Sequence, residues 1–211
     1  MKYFQDKVGH AAELFADYPI DNATVINEGT PVKISNGKVV AAVAAGTDSL
    51  LGVAAESHAG AEYALELKDR RKKIGVYDSP HAIFKARLHL VAATDGTGGC
   101  LSATLSAANT AKGGILVCTK AASGSGCVVG EEYEVTENTT SLMKIGKDTK
   151  TGDEFDFIPP VGFAEIGFET KDGALTGEFA LSTTGASLVC AGRDGNELLV
   201  AFKKHIYGCG V

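Results

Sequence analysis

The sequence has no tryptophan, few other aromatic residues and no long apolar run. Its longest apolar stretch, Val39–Ala45, is far shorter than the roughly 20 residues with which a helix crosses a bilayer. The first residues, MKYFQDKVGHAAELF, lack the run of about seven apolar residues that a signal peptide contains. We therefore expect an unprocessed, soluble protein that is made in a cytoplasm and has no membrane partner.

Closely spaced cysteine pairs are also missing. A secreted disulfide framework favours an even number of cysteines, and a structural zinc site favours paired ligands such as CxxC. Here the number is odd and the spacing is wide: Cys100, Cys118, Cys127, Cys190 and Cys209. We predict free, mostly buried thiols, with no metal ion and no other cofactor.

Positive charge is in short supply, since 20 Lys and Arg residues stand against 26 Asp and Glu residues. The net charge is −6, whereas nucleic acids attract proteins mainly through Lys and Arg. This balance argues against nucleic acid as a partner. One basic run, Lys68–Lys73, opposes the trend; it is typical of a solvated turn, with contact to an acidic partner as the alternative.

Glycine and short alternating segments are abundant. The chain has 26 glycines and is 45% hydrophobic, enough for a sizeable core with many turns. Asn36-Gly37 lies between two strand-like runs and predicts a type I′ hairpin. In that register Ile34 pairs with Val39, and Val32 pairs with Ala41.

Further strand signals follow along the chain. After Pro80, apolar and polar side chains alternate, which predicts a strand with one buried and one wet face. The apolar side chains are Phe84, Ala86, Leu88 and Leu90, and the polar ones are Lys85, Arg87 and His89. Asp194-Gly195 is a second tight-turn signal. About a dozen such strands predict a mainly β protein, a compact barrel or sandwich.

The segment Asp78–His81 contains the residue types of a hydrolase triad, namely Asp78, Ser79 and His81. A triad aligns a nucleophile, a base and an orienting group, and known triads draw these from separate segments. Here they are neighbours of Pro80, and no GxSxG elbow is present. Since Asp, Ser and Pro are common turn residues, we interpret the segment as a bend and predict no catalytic residues and no enzyme.

Other site signals are weak. The glycine-rich stretches DGTGGCL and SGSGCVVG do not match a phosphate-binding loop. In KDTKTGDEFD, acidic residues cluster, but Lys150 stands where an EF-hand needs an oxygen ligand and Gly152 comes one position early. A solvated loop is the main interpretation, with a calcium site of another type as the alternative.

The order of several segments resembles the auxiliary head proteins of tailed phages, the decoration or cement proteins with β-tulip-like domains. The segments are MKYFQDKVGHAAELFADYPI, NEGTPVKISNGKVVAA, LLGVAAESHAG, KIGVYDSPHAIFKARL and ELLVAFKKHIYG. They fall in the first 95 residues and the last 20, while the middle of the chain matches only loosely. The resemblance implies residues 1–20 as an N-terminal arm, residues 21–95 plus 191–211 as a β-tulip-like core domain, and residues 96–190 as a β-rich insertion or second lobe.

The same resemblance implies a structural role. Proteins of this kind bind the outer surface of a capsid lattice, often as homotrimers, and stabilise it. It implies the major capsid protein as partner, the virion as location after assembly in the host cytoplasm, and Phe4 and Phe15 in the arm as capsid contacts. Helical spacing of apolar residues in the arm is an alternative reading of its structure. A head fibre or carbohydrate-binding module is the alternative function.

Overall fold

Strands run through the whole described part of the chain, which comprises residues 2–6, 16–21, 23–60, 73–92, 95–96, 100–102, 113–138, 142–171, 174–185 and 187–208. The computed structural model is mainly β and contains no helix within these residues, which confirms the predicted class. Accordingly, no helix in this part of the chain has the length and apolar character to cross a membrane.

The strands are short, as expected from the frequent turn signals. They are β1 (Lys2–Asp6), β2 (Ala16–Pro19), β3 (Val25–Ile26), β4 (Pro31–Ser35), β5 (Lys38–Ala41), β6 (Gly52–Ala54), β7 (His58–Ala59), β8 (Lys73–Tyr77), β9 (Ala82–Ala86), β10 (His89–Val91), β11 (Cys100–Ser102), β12 (Ile115–Lys120), β13 (Glu132–Glu134), β14 (Glu137–Asn138), β15 (Leu142–Lys144), β16 (Glu154–Ile158), β17 (Ile166–Lys171), β18 (Ala174–Leu181), β19 (Leu188–Asp194) and β20 (Glu197–Phe202).

Three larger sheets organise these strands. We call them the N-terminal sheet (β2-β8-β6-β4-β5), the terminal sheet (β1-β9-β20-β19) and the central sheet (β10-β16-β12-β13). Smaller sheets are β11-β15-β14, β17-β18 and β3-β7. All the paired strands are antiparallel.

The prediction was a barrel or a sandwich, and no barrel is formed among the described strands. In the N-terminal sheet, a single parallel bridge between Ile20 and Val39 links the end of β2 to β5, the opposite edge strand. One bridge does not make the continuous ladder that closes a barrel. The finding is therefore a set of several open sheets within a mainly β fold.

The Asn36-Gly37 hairpin is confirmed. Both turn residues have positive φ, 50° and 74°, as a type I′ turn requires. The register also agrees, because Val32 pairs with Ala41 and Ile34 pairs with Val39. At the second tight turn, Asp194 instead pairs with Glu197, so Gly195 and Asn196 form the turn and Asp194-Gly195 is one residue early.

The residues predicted as an arm contribute two strands. β1 pairs with β9 in the terminal sheet, and β2 pairs with β8 in the N-terminal sheet. The helical alternative was based on Phe4 and on Val8, Ala11, Ala12 and Phe15; Phe4 lies in a strand, and the other four lie outside the described residues. Pairing with β9 satisfies backbone groups that a free arm would leave to solvent.

Two hydrophobic clusters form the core. The larger one combines all three large sheets, with Phe84 and Phe202 from the terminal sheet and Phe155 and Phe157 from the central sheet, all fully buried. The smaller one combines the N-terminal sheet with Ile26 of β3 and contains residues such as Ile74, which has no exposed surface. The division at residues 95–96 and 190–191 stays a prediction, and the larger cluster packs side chains from both sides of it.

Candidate functional site

The segment Asp78–His81 is a corner between two sheets. It leaves the N-terminal sheet after β8 and enters the terminal sheet at β9. The carbonyl of Ser79 accepts a hydrogen bond from the N–H of Ala82 at 3.1 Å, and its Oγ accepts one from the N–H of His81 at 3.3 Å. Hydroxyl groups that bond to the backbone two residues on stabilise turns. This placement agrees with the interpretation as a bend.

The carboxylate at this corner belongs to a chain of polar side chains. The hydroxyl of Tyr18 donates a hydrogen bond to Asp78, and the hydroxyl of Tyr207 lies 3.1 Å from that of Tyr18. The pKa of Tyr18 is raised far above its usual range, mainly by burial and then by its bonds to Asp78 and Tyr207. The phenol therefore keeps its proton and acts as a donor to the carboxylate.

His205 lies next to this chain and is 6% exposed. Its ring contacts Phe202 and Tyr207, with centroids 5.0 and 5.4 Å apart respectively. Nδ1 accepts a hydrogen bond from the N–H of Tyr207 at 3.2 Å, and buried Nε2 has no partner in hydrogen-bond geometry. Burial lowers the pKa of His205, because it penalises the charged ring.

We call Tyr18, Asp78, His205 and Tyr207 the junction cluster. It joins β2, the corner and the C-terminal segment, and its groups are two phenols, a carboxylate and an imidazole. The sequence patterns point to Asp78 but not to the two tyrosines. Because 60 positions separate Tyr18 from Asp78 and 189 separate it from Tyr207, no local pattern points to this contact.

The predicted wet face of β9 and β10 carries ion pairs. Lys85 Nζ lies 2.6 Å from Asp194 and 2.8 Å from Glu197. Arg87 binds both carboxylate oxygens of Asp156, at 2.9 and 3.0 Å, and this contact raises the pKa of Arg87. Exposed pairs of this kind contribute little stability singly, so the face is best described as a solvated surface.

The acidic loop considered for calcium is occupied by protein donors. Asp153 is fully buried and accepts hydrogen bonds from the backbone and from Ser125. Glu154 pairs with Lys120 at 2.6 Å, and Asp156 pairs with Arg87. Within the described residues, no group of three or more His, Cys, Asp or Glu side chains is arranged to hold a metal ion.

The remaining predicted residues are placed as follows. Cys118, Cys127 and Cys190 are free and buried, as predicted, and burial raises the pKa of each thiol. Raised thiol pKa values disfavour the reactive thiolate. The backbone of Phe4 lies in β1, but its side chain is not described, and Phe15 lies outside the described residues.

No protein-family model, no curated protein and no solved structure matches this chain.

Proposed function

We propose that this protein is a virion structural protein that binds the outer surface of a phage capsid lattice and stabilises it. One observation supports the proposal above others. Three segments that resemble decoration proteins, two from the first 95 residues and one from the last 20, meet in the terminal sheet as β1, β9 and β20. If this chain shares its architecture with decoration proteins, these segments should belong to one folded unit, as they do here.

The β-tulip-like domain, the homotrimer and the major capsid protein as partner belong to the same proposal. β1 forms one edge of the terminal sheet among the described strands, and it contains Phe4. Edge strands offer backbone groups to a partner, so an edge next to a proposed capsid contact fits lattice binding. Trivalent attachment would allow modest contacts in each subunit to add up.

A binding assay with undecorated phage heads tests the proposal. We expect the purified protein to co-sediment with the heads and to raise the temperature at which they break open, since it would bind the assembled lattice. Phe4→Ala should weaken binding about tenfold, as loss of an aromatic anchor does. Val25→Ala is the matched control, because this side chain is exposed and belongs to β3, which is in a different sheet from β1.

Two results decide against the proposal. Heads that neither retain the protein nor gain thermal protection would rule out lattice binding. Equal loss of binding in Phe4→Ala and Val25→Ala would show that Phe4 is not part of the contact.

The alternative function, a head fibre or carbohydrate-binding module, would be favoured by exposed aromatic residues in EFDFIPPVGF. The structure shows the opposite arrangement: Phe155 and Phe157 are fully buried, and Phe163 is 5% exposed. These rings belong to the larger hydrophobic cluster and are unavailable to a glycan. We therefore do not adopt this alternative.

A further inference from the structure

The C-terminal segment His205–Gly208 is attached to the fold through an imidazole in a defined protonation state. Nδ1 of His205 accepts the hydrogen bond from the N–H of Tyr207, so this nitrogen carries no proton. The proton of the neutral ring is therefore on Nε2. A parallel bridge to Leu50 holds the same segment from the other side, through bonds at Lys204 and Ile206.

We propose that His205 is an acid-operated latch, in which protonation of Nδ1 releases Tyr207 from its contact with Tyr18. The step adds one proton from solvent to Nδ1 and makes the ring a cation; no other bond is formed or broken covalently. Nδ1–H then faces the N–H of Tyr207, and two donors cannot bond to each other. Tyr207 moves away, and its hydroxyl leaves that of Tyr18.

The surroundings of the imidazole set when the latch opens. Burial favours the neutral ring most strongly, and a charged His81 at the corner adds to this effect. The Leu51 backbone and the Asp78 carboxylate favour the cation and offset part of it. The raised pKa of Tyr18 keeps its phenol protonated, so this side chain adds no charge.

The direction of the pH dependence follows from these contributions. The pKa of His205 in the closed segment is lowered from 6.5. The released state therefore binds more protons below pH 6.5, so the latch is closed at neutral pH and opens as the pH falls.

Nuclear magnetic resonance of the ¹⁵N-labelled full chain tests the latch, titrated from about pH 7.5 to about pH 5, where an ordinary histidine changes charge. We expect the amide signal of Tyr207 to shift with the same midpoint as the ring of His205, while the amide of Val200 in β20 stays in place. In His205→Asn, the side-chain oxygen can still accept the Tyr207 N–H but does not titrate. The Tyr207 signal should then stay constant.

A second variant keeps the test valid if His205→Asn does not fold. His81→Asn keeps the latch and removes the neighbouring positive charge, so the Tyr207 midpoint should move to higher pH. A Tyr207 amide that stays constant while His205 titrates, or that loses its titration in His81→Asn, would overturn the proposal. The experiment needs no phage heads, so its outcome is independent of the proposed capsid binding.

Discussion

At the scale of single residues, buried polar side chains form hydrogen bonds that hold particular loops of this fold together. Asp153 is fully buried and accepts bonds from Ala122 N at 2.6 Å, Ser125 Oγ at 2.7 Å and Lys150 N at 2.8 Å. These donors come from the two loops at one end of the central sheet. A buried carboxylate is stable only when such donors surround it, so Asp153 acts as a structural connection between the loops.

We expect Asp153→Asn to lower the free energy of unfolding by about 2–3 kcal/mol, because an amide group then faces a donor and leaves it unpaired. Urea denaturation followed by circular dichroism measures the change. Asp17→Asn is the matched control, since Asp17 is exposed, and it should change stability by less than about 0.5 kcal/mol. Equal midpoints for the two variants would show that the buried carboxylate is not needed.

The sequence placed Asp153 in an acidic loop but could not indicate its burial. Charged residues in a glycine-containing stretch are usually solvated, and the donors at Ala122 and Ser125 are distant in the chain. The contact between Tyr18 and Tyr207 could not be predicted for the same reason, because the two residues are distant in the chain. Local patterns predict turns and faces, whereas a polar contact between remote segments depends on the completed fold.

At the scale of strands and turns, local chemistry was a better guide. Alternation correctly predicted that Phe84 and Ala86 are buried while Arg87 is exposed, but the single strand that it predicted is divided into β9 and β10, which lie in different sheets. Asn36-Gly37 correctly predicted the hairpin, because few residue pairs tolerate two positive φ angles. The sequence did not predict the structural reason for the glycine in β6, which is a close approach to β8. At Gly52, an added Cβ would lie 2.1 Å from the carbonyl oxygen of Tyr77 in β8.

Gly52→Ala should therefore push β6 and β8 apart and lower the free energy of unfolding by about 3 kcal/mol, in the upper range for overpacking. Thermal denaturation of Gly52→Ala and of the control variant Gly195→Ala measures how much of the loss is specific to Gly52. Gly195 has open space around it but a φ of 59°, so that control should cost about 1 kcal/mol. If Gly52→Ala is as stable as the control, the close approach of the strands is not a constraint.

At the scale of the whole molecule, the composition predicted a mainly β fold, but not how the sheets are arranged. β9 pairs with β20, and the central sheet combines β10, β16, β12 and β13. These partners are far apart in the chain, and period-2 patterns are the same for any pairing. The resemblance implied a β-rich insertion or second lobe at residues 96–190, and this division stays a prediction; the larger hydrophobic cluster contains residues from the middle of the chain and from the terminal sheet.

Because Phe84 and Phe155 are fully buried in one cluster, we expect Phe84→Leu and Phe155→Leu to lower the same thermal transition. Each lost kcal/mol should shift the midpoint by about 3 °C in a chain of this size. Differential scanning calorimetry at a fixed protein concentration measures both shifts. Val161→Ala, at a position 74% exposed, should leave the transition in place. Separate transitions affected by the two phenylalanines would show that the cluster divides into independent units.

The position of β9 in the terminal sheet has a consequence for biosynthesis. β9 pairs with β1 on one side and with β20 on the other. During translation, β1 and β9 leave the ribosome long before β20. The edge of β9 that pairs with β20 in the folded protein therefore has no partner strand during that interval. Pairings between distant segments form slowly, and a waiting strand edge is exposed to aggregation. The terminal sheet can therefore be completed only after Phe202 has been synthesised, and chaperones that cover strand edges should be most useful in that interval.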